Sequence, residues 1–106
     1  MSFDDREKAF ERKFEHDQEL AFKVRARRRR LLAEWAAQQL GLAGAAAEAY
    51  VKELTELGFH RGGDAEEIAH IARDLSAKGV TVDEARVRLQ AEHCEREAKK
   101  QLGATG

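Results

Sequence analysis

The sequence has no proline, only one cysteine and no long hydrophobic run, and the last two shortages each exclude a class of protein. One cysteine cannot form an internal disulfide, which excludes a disulfide-stabilised secreted scaffold and fits a reducing cytoplasm. No apolar stretch approaches the about 20 residues of a membrane span, and the acidic N-terminus does not resemble a signal peptide. We therefore expect a cytoplasmic chain that does not insert into a membrane.

The chain also has little net charge and little room for catalytic machinery. Its 106 residues carry a net charge of −1, with an isoelectric point near 6.4, which argues against a general nucleic-acid or membrane binder. A chain of this length forms one small domain, and most enzymes are larger. Composition rich in Ala, Leu, Glu, Lys and Arg predicts an all-α protein.

Glycines divide the chain into four predicted helices. The first, capped by Ser2, runs without a breaker for about 37 residues, to the turn between Gly41 and Gly44. The other three are predicted over Ala45–Leu57, with Gly58 as its left-handed cap, from Asp64 to Gly79, and from Thr81 to about Gln101. Asp64 with Glu67 and Thr81 with Glu84 match capping boxes at the last two helix starts. The glycines thus predict a four-helix bundle.

Apolar residues recur at helical spacing, so each helix should pack one face into a shared core. Trp35, the largest side chain, is expected near the core centre. The other predicted core residues are Val24, Leu31, Leu32 and Leu40; then Ala46, Ala47, Tyr50, Leu54 and Leu57; then Ile68, Ile71, Ala72 and Leu75; and Val82, Ala85 and Leu89.

The first helix is too long for the bundle. At 1.5 Å per residue it spans roughly 55 Å, whereas a compact domain of this size is about 34 Å across. Residues 1–20 should therefore project or be flexible beyond a bundle of residues 21–102, and residues 103–106 should fray. Phe3, Phe10 and Phe14 fall within about 40° on this helix, a narrow stripe suited to a partner's groove. Alternatively, the segment covers the end of the bundle or self-associates as a helical adaptor.

A basic cluster follows this segment, with six cations and no acid within residues 23–30. Consecutive arginines point around the whole helix, so they do not form one face. A solvated collar or a contact with an acidic protein surface explains them. A nucleic-acid-associated bundle that uses Arg25–Arg30 is the alternative.

No set of residues points to catalysis, a metal or a cofactor. Glu67 and His70 match one half of a di-iron motif but lack a second pair, so His70 is expected to be a partly exposed partner of Asp74. Cys94 lacks a cationic pocket or helix start and is expected to pack as a small apolar residue. His16 is a candidate pH sensor in the projecting segment, although a solvated surface histidine is the favoured interpretation.

Several motifs occur in order along the chain: Phe3-Asp4-Asp5-Arg6-Glu7, Phe10-Glu11-Arg12-Lys13-Phe14, His16-Asp17, Phe22-Lys23, Ala26-Arg27-Arg28, Leu31-Leu32, Trp35-Ala36-Ala37, Lys78-Gly79-Val80 and Ala98-Lys99-Lys100. Their order and spacing resemble the zeta-subunit family, small alphaproteobacterial inhibitors of the F-type ATPase (ATP synthase). Ala33 stands where the family pattern has glycine. Alanine at this position would stiffen the helix, which argues against a hinge there.

The resemblance implies a four-helix bundle with a mobile inhibitory N-terminal segment and no enzymatic activity of its own. In that family the segment enters a catalytic alpha/beta interface of the ATPase and blocks rotation during hydrolysis. The implied partners are the alpha and beta subunits, with gamma as a further candidate, and the implied location is the cytoplasmic side of the inner membrane, through ATP synthase. The free protein is expected to be a monomer. The implied partner-binding residues are Phe3, Asp4, Asp5, Arg6, Phe10, Lys13, Phe14 and Asp17.

Overall fold

The computed structural model describes the backbone of residues 3–60 and 63–103, and the side chains of residues 13, 15–57 and 63–103. The described residues form four α-helices and no strand. The helices are α1 (Phe3–Gln39), α2 (Gly44–His60), α3 (Gly63–Ala77) and α4 (Glu84–Gln101). The predicted all-α four-helix fold is confirmed.

Two of the predicted helix ends follow from glycine in a left-handed conformation. Gly41 has φ 75°, and the amide of Leu42 donates to the carbonyl of Ala37 at 2.9 Å. Gly79 repeats the arrangement with φ 83°, and Val80 donates to the carbonyl of Leu75 at 2.9 Å. This Schellman pairing satisfies carbonyls that the helix end would leave without partners, and glycine adopts its positive φ at low cost.

The first helix extends well past the others. Its 37 residues correspond to about 55 Å, whereas the 18 residues of α4 correspond to about 27 Å. The protein measures 63 × 27 × 25 Å, with a radius of gyration of 17.3 Å against about 13 Å for a compact domain of this length. Lys13 and residues 15–19 are exposed, Leu20 and Ala21 are half-buried, and Val24 is the first buried residue described. The division into segments 1–20, 21–102 and 103–106 stays a prediction.

The core lies where all four helices face one another. The predicted residues Leu32, Leu54, Ile71 and Leu75 are fully buried there. Trp35 is only partly buried and packs against this cluster, so its predicted central place is wrong. Small residues on α1, Ala33 and Ala36, take the buried positions beside Leu32.

The predicted core face of α4 is also wrong. Leu89 is 58% exposed and Ala85 is exposed, while Val82, which precedes the helix, is partly buried. The buried face consists instead of Val87, Ala91, Cys94 and Ala98, which follow one another at helical spacing. Their small size explains the error, since a search for large apolar residues passes over a face that packs through alanine and cysteine. Cys94 does pack as a small buried residue, as predicted.

Three predicted caps differ as well. The backbone of α2 continues through Gly58 to His60, so Gly58 does not end the helix. Asp83, rather than Thr81, caps α4, because its carboxylate accepts from the amide of Arg86 at 2.9 Å. Asp64 lies in the first turn of α3, where its carboxylate pairs with an arginine of α1.

Candidate partner-binding surface

The α1 positions of the aromatic stripe predicted for a partner can be related to the bundle by helix phase. A residue and the one 18 positions later are five turns apart and share a direction, at 3.6 residues per turn. Positions 3, 10 and 14 therefore share the phase of Ala21, Arg28 and Leu32. Arg28 and Leu32 are buried and Ala21 is half-buried against the other helices. By helix phase, backbone positions 3, 10 and 14 therefore fall on the side of α1 that faces the core further along the helix.

The structure places two of the eight predicted partner-binding side chains. Lys13 and Asp17 are both exposed on α1. The side chains of Phe3, Asp4, Asp5, Arg6, Phe10 and Phe14 lie outside the described residues. His16, the candidate pH sensor, is exposed as well, and its role stays a prediction.

A groove begins where α1 meets the bundle. We call it the α1/α4 groove; it has a volume of about 570 Å³ and runs between α1, α3 and α4. Leu20, Ala21 and Val24 line it on α1. Side chains of both charges complete its lining, including Asp17 and Arg25 on α1 and Arg88, Glu92, Glu95 and Lys99 on α4. Because Asp17 and Ala21 belong to this groove, it adjoins the segment predicted to bind a partner.

Two arginines of the basic cluster are not on the surface. Arg28 is 5% exposed and pairs with Asp64 at the start of α3. Arg29 lies beside the same carboxylate, with Nη2 3.5 Å from Oδ1 of Asp64, and its Nε is 3.9 Å from Oε2 of Glu67. We call these four residues the arginine–carboxylate cluster, and it joins α1 to α3. The sequence-based expectation of a solvated collar is wrong for Arg28 and Arg29.

The rest of the basic cluster is partly paired with acidic side chains of α1 itself. Arg30 pairs with Glu34 at 3.0 Å, and Lys23 lies 3.4 Å from Glu19. Arg25 and Arg27 are exposed. With Arg28 and Arg29 committed to the contact with α3, no feature of the described residues favours nucleic-acid binding over a protein partner.

Glu67 is the most unusual member of the arginine–carboxylate cluster. It is fully buried, and neither of its carboxylate oxygens accepts a hydrogen bond from the described residues. Burial raises the pKa of Glu67 to about 7, although the nearby charges of Arg28 and Arg29 oppose the shift. Sequence reasoning assigned Glu67 to a helix cap, and its place in the core had no local signal.

A second polar group joins α2 to α3. The hydroxyl of Tyr50 donates to Oδ2 of Asp74 at 2.8 Å, and Nε2 of His70 lies 3.1 Å from the same oxygen. Burial and the bond to Asp74 raise the pKa of Tyr50, so its hydroxyl stays protonated. The prediction that His70 is a partly exposed partner of Asp74 is confirmed.

These polar contacts attach helices of the bundle to one another. Burial raises the pKa of Cys94, so the thiol is held away from its reactive thiolate form. Within residues 13, 15–57 and 63–103, no three His, Cys, Asp or Glu side chains come together as metal ligands would. None of the described helices combines the length and apolar character needed to cross a membrane.

Comparison with known proteins agrees with the geometry and with the resemblance noted in the sequence. The family model described as ATPase inhibitor subunit zeta matches residues 1–101. No curated protein and no solved structure matches the chain. The family match covers all four helices, including the extended part of α1. The chain therefore belongs to the ATPase inhibitor subunit zeta family.

Proposed function

We propose that this chain inhibits ATP hydrolysis by the F-type ATP synthase, and that the N-terminal part of α1 acts by entering a catalytic alpha/beta interface. Membership of an ATPase inhibitor family supports the inhibitory role. The observation that carries the finer proposal is the extension of α1 beyond the bundle, with exposed side chains at Lys13 and at residues 15–19. A helix with no companion in its own fold is suited to insertion into another protein's groove.

In this mechanism the two parts of the chain have different tasks. The extended helix enters the interface, and the bundle, about 27 × 25 Å in cross-section, is too wide to follow and remains outside as a stop. An interface that cannot close around ADP and ATP in turn would arrest rotation. We assign the contacts with the alpha and beta subunits, and with gamma where it is within reach, to Phe3, Asp4, Asp5, Arg6, Phe10, Lys13, Phe14 and Asp17.

The energetics require more than the aromatic stripe. Full burial of three phenylalanines contributes about 5–9 kcal/mol. Ordering about 15 residues costs 1–2 kcal/mol each for segments that begin unfolded, which exceeds that gain. The α1 backbone is helical from Phe3 onward, so much of this ordering cost is already met before binding. Ionic contacts of Arg6, Lys13 and Asp17 then add to the affinity.

The test is ATP hydrolysis by purified F-type ATPase with added protein. Deletion of residues 1–14 should abolish inhibition and leave the melting transition of the bundle nearly unchanged. A truncated protein that still inhibits would refute the insertion mechanism while leaving an inhibitory role intact. ATP synthesis should be measured separately, because the proposal concerns the hydrolytic direction.

A matched pair of substitutions tests the stripe itself. Phe14→Ala removes an aromatic ring on the stripe, and Phe22→Ala removes one about 80° away on the same helix, where Phe22 is 51% exposed. Loss of one buried anchor worth about 1.5–3 kcal/mol predicts roughly 10- to 100-fold weaker inhibition by Phe14→Ala. Phe22→Ala should change inhibition only slightly, and equal effects of the two variants would contradict the assigned stripe.

The role is regulatory rather than catalytic, since the proposed partner performs the chemistry. We further propose that the chain is a monomer when free and binds peripherally, at the cytoplasmic face of the membrane, through the ATP synthase. Sedimentation at high protein concentration distinguishes this state from a self-associating helical adaptor, which would give a concentration-dependent dimer.

A further inference from the structure

A buried carboxyl group sits at the contact between α1 and α3. Glu67 belongs to the second turn of α3, is fully buried, and receives no hydrogen bond from the described residues. Ionised carboxylates are almost never fully buried without hydrogen bonds, because the charge loses its solvation. A neutral, protonated carboxyl fits this site better than a charged one.

The groups that face Glu67 place charges near its carboxylate but give it no hydrogen bond. Arg28 and Arg29 of α1 supply the cations, and Nε of Arg29 lies 3.9 Å from Oε2 of Glu67. Asp64 on α3 adds a like charge and itself pairs with Arg28. Tyr50 of α2 and Cys94 of α4 face the site as neutral groups, since the pKa of each is raised.

We propose that Glu67 makes the attachment of α3 to α1 sensitive to protons. With its proton bound, the neutral side chain packs in the core and the arginine–carboxylate cluster holds the two helices together. Loss of the proton leaves a buried carboxylate that accepts no hydrogen bond from the described residues, and the start of α3 separates from α1 more readily. The contact involves α1 just beyond Val24, next to the point where the extended helix leaves the bundle.

The direction of the effect follows from linkage. The pKa of Glu67 is about 7 in the folded chain against an ordinary value of 4.5, so the folded state holds this proton over a range where the unfolded state releases it. Stability from this group is therefore present below about pH 4.5 and is lost as pH rises through 7. Between pH 5 and pH 8 the folded-to-unfolded ratio should fall by a factor on the order of 50.

Urea unfolding of the full chain at pH 5 and pH 8 tests the proposal. The comparison is between the wild type, Glu67→Gln, which cannot ionise, and His70→Gln, a control substitution three residues further along α3. Between the two pH values, the folded-to-unfolded ratio should fall by a factor about 50 times larger in the wild type and His70→Gln than in Glu67→Gln. A pH dependence that persists in Glu67→Gln, or disappears in His70→Gln, would overturn the proposal.

A measurement on the unaltered protein keeps the test decisive where Glu67→Gln fails to fold. The side-chain carboxyl carbon of Glu67 can be followed by NMR as pH is raised. A midpoint near pH 7 supports the proposal. Above that pH, the backbone amides of residues 64–68 should also exchange faster than the rise in hydroxide concentration alone produces. A midpoint near 4.5 refutes it. Neither the urea nor the NMR measurement involves the ATPase, so their outcomes do not depend on the proposed inhibitory function.

Discussion

Two neighbouring positions of α4 distinguish packing from hydrophobicity. Val87 is fully buried between the helices, whereas the larger and more hydrophobic Leu89, two residues later, is 58% exposed. Truncating each to alanine removes two and three carbon atoms, respectively. A ranking by side-chain size predicts that Leu89→Ala is the more destabilising change, and the structure predicts the reverse order.

The expected losses of folding stability differ clearly between the two variants. Val87→Ala loses about 0.8 kcal/mol for each of two buried carbons, and a cavity of roughly 50 Å³ adds about 1 kcal/mol. The better helix propensity of alanine returns about 0.5 kcal/mol, so the net cost is about 2 kcal/mol. Leu89→Ala should cost less than about 1 kcal/mol, because more than half of the side chain is already in water.

Urea denaturation followed by helical circular dichroism measures both changes. The midpoint should shift clearly for Val87→Ala and little for Leu89→Ala, with equal slopes, so that the shift reports stability alone. Finding Leu89→Ala to be the costlier change would mean that α4 is rotated by about half a turn from the orientation described here, and the buried face of Val87, Ala91, Cys94 and Ala98 would be wrong.

Two further predictions concern α4. Asp83→Ala should destabilise the protein by about 1 kcal/mol in thermal unfolding, because it removes the acceptor for the amide of Arg86. Thr81→Ala should have little effect, and equal losses of stability in the two variants would place the cap elsewhere. In the folded protein at pH 8, Cys94 should react with a thiol reagent far more slowly than in urea, because burial shields it and raises its pKa, and a rate like that of the unfolded chain would contradict its placement.

Much of the fold was predictable because it is encoded locally. The absence of proline and the positions of Gly41 and Gly79 determine where helices run and stop, and the structure places left-handed turns at both glycines. Gly58 shows the limit of that reasoning. A glycine inside a helix costs only about 1 kcal/mol, so packing of the surrounding α2 can carry the helix past it to His60.

The arginine–carboxylate cluster was not predictable from local pattern. Consecutive arginines point in all directions, and only the positions of other helices decide which of them are buried. Asp64 and Glu67 already had a local interpretation as helix-capping acids, so nothing in the sequence required partners 35 residues or more away. Their pairing depends on α1 and α3 lying side by side, which is a property of the whole bundle.

The sequence predicts the helical phase of the three phenylalanine positions of the candidate site, but it does not predict how that phase relates to the core. Spacing alone places Phe3, Phe10 and Phe14 on one stripe; the structure adds that this side of α1 is the one that faces the other helices further along, at Leu32 and Arg28. Within residues 24–39, companions on α2, α3 and α4 cover that side. Towards the N-terminus the same side continues past the bundle.

This continuity explains why one uninterrupted helix suits the proposed function. A partner that binds the stripe takes up, relative to α1, the position that the chain's own helices occupy further along. In the proposed mechanism, the same continuous helix would carry a load from the partner directly into the bundle, without an intervening loop. Ala33 is fully buried within this helix, at the position where a glycine would weaken it by about 1 kcal/mol. The stiff helix favours a fixed stop over a hinged arm.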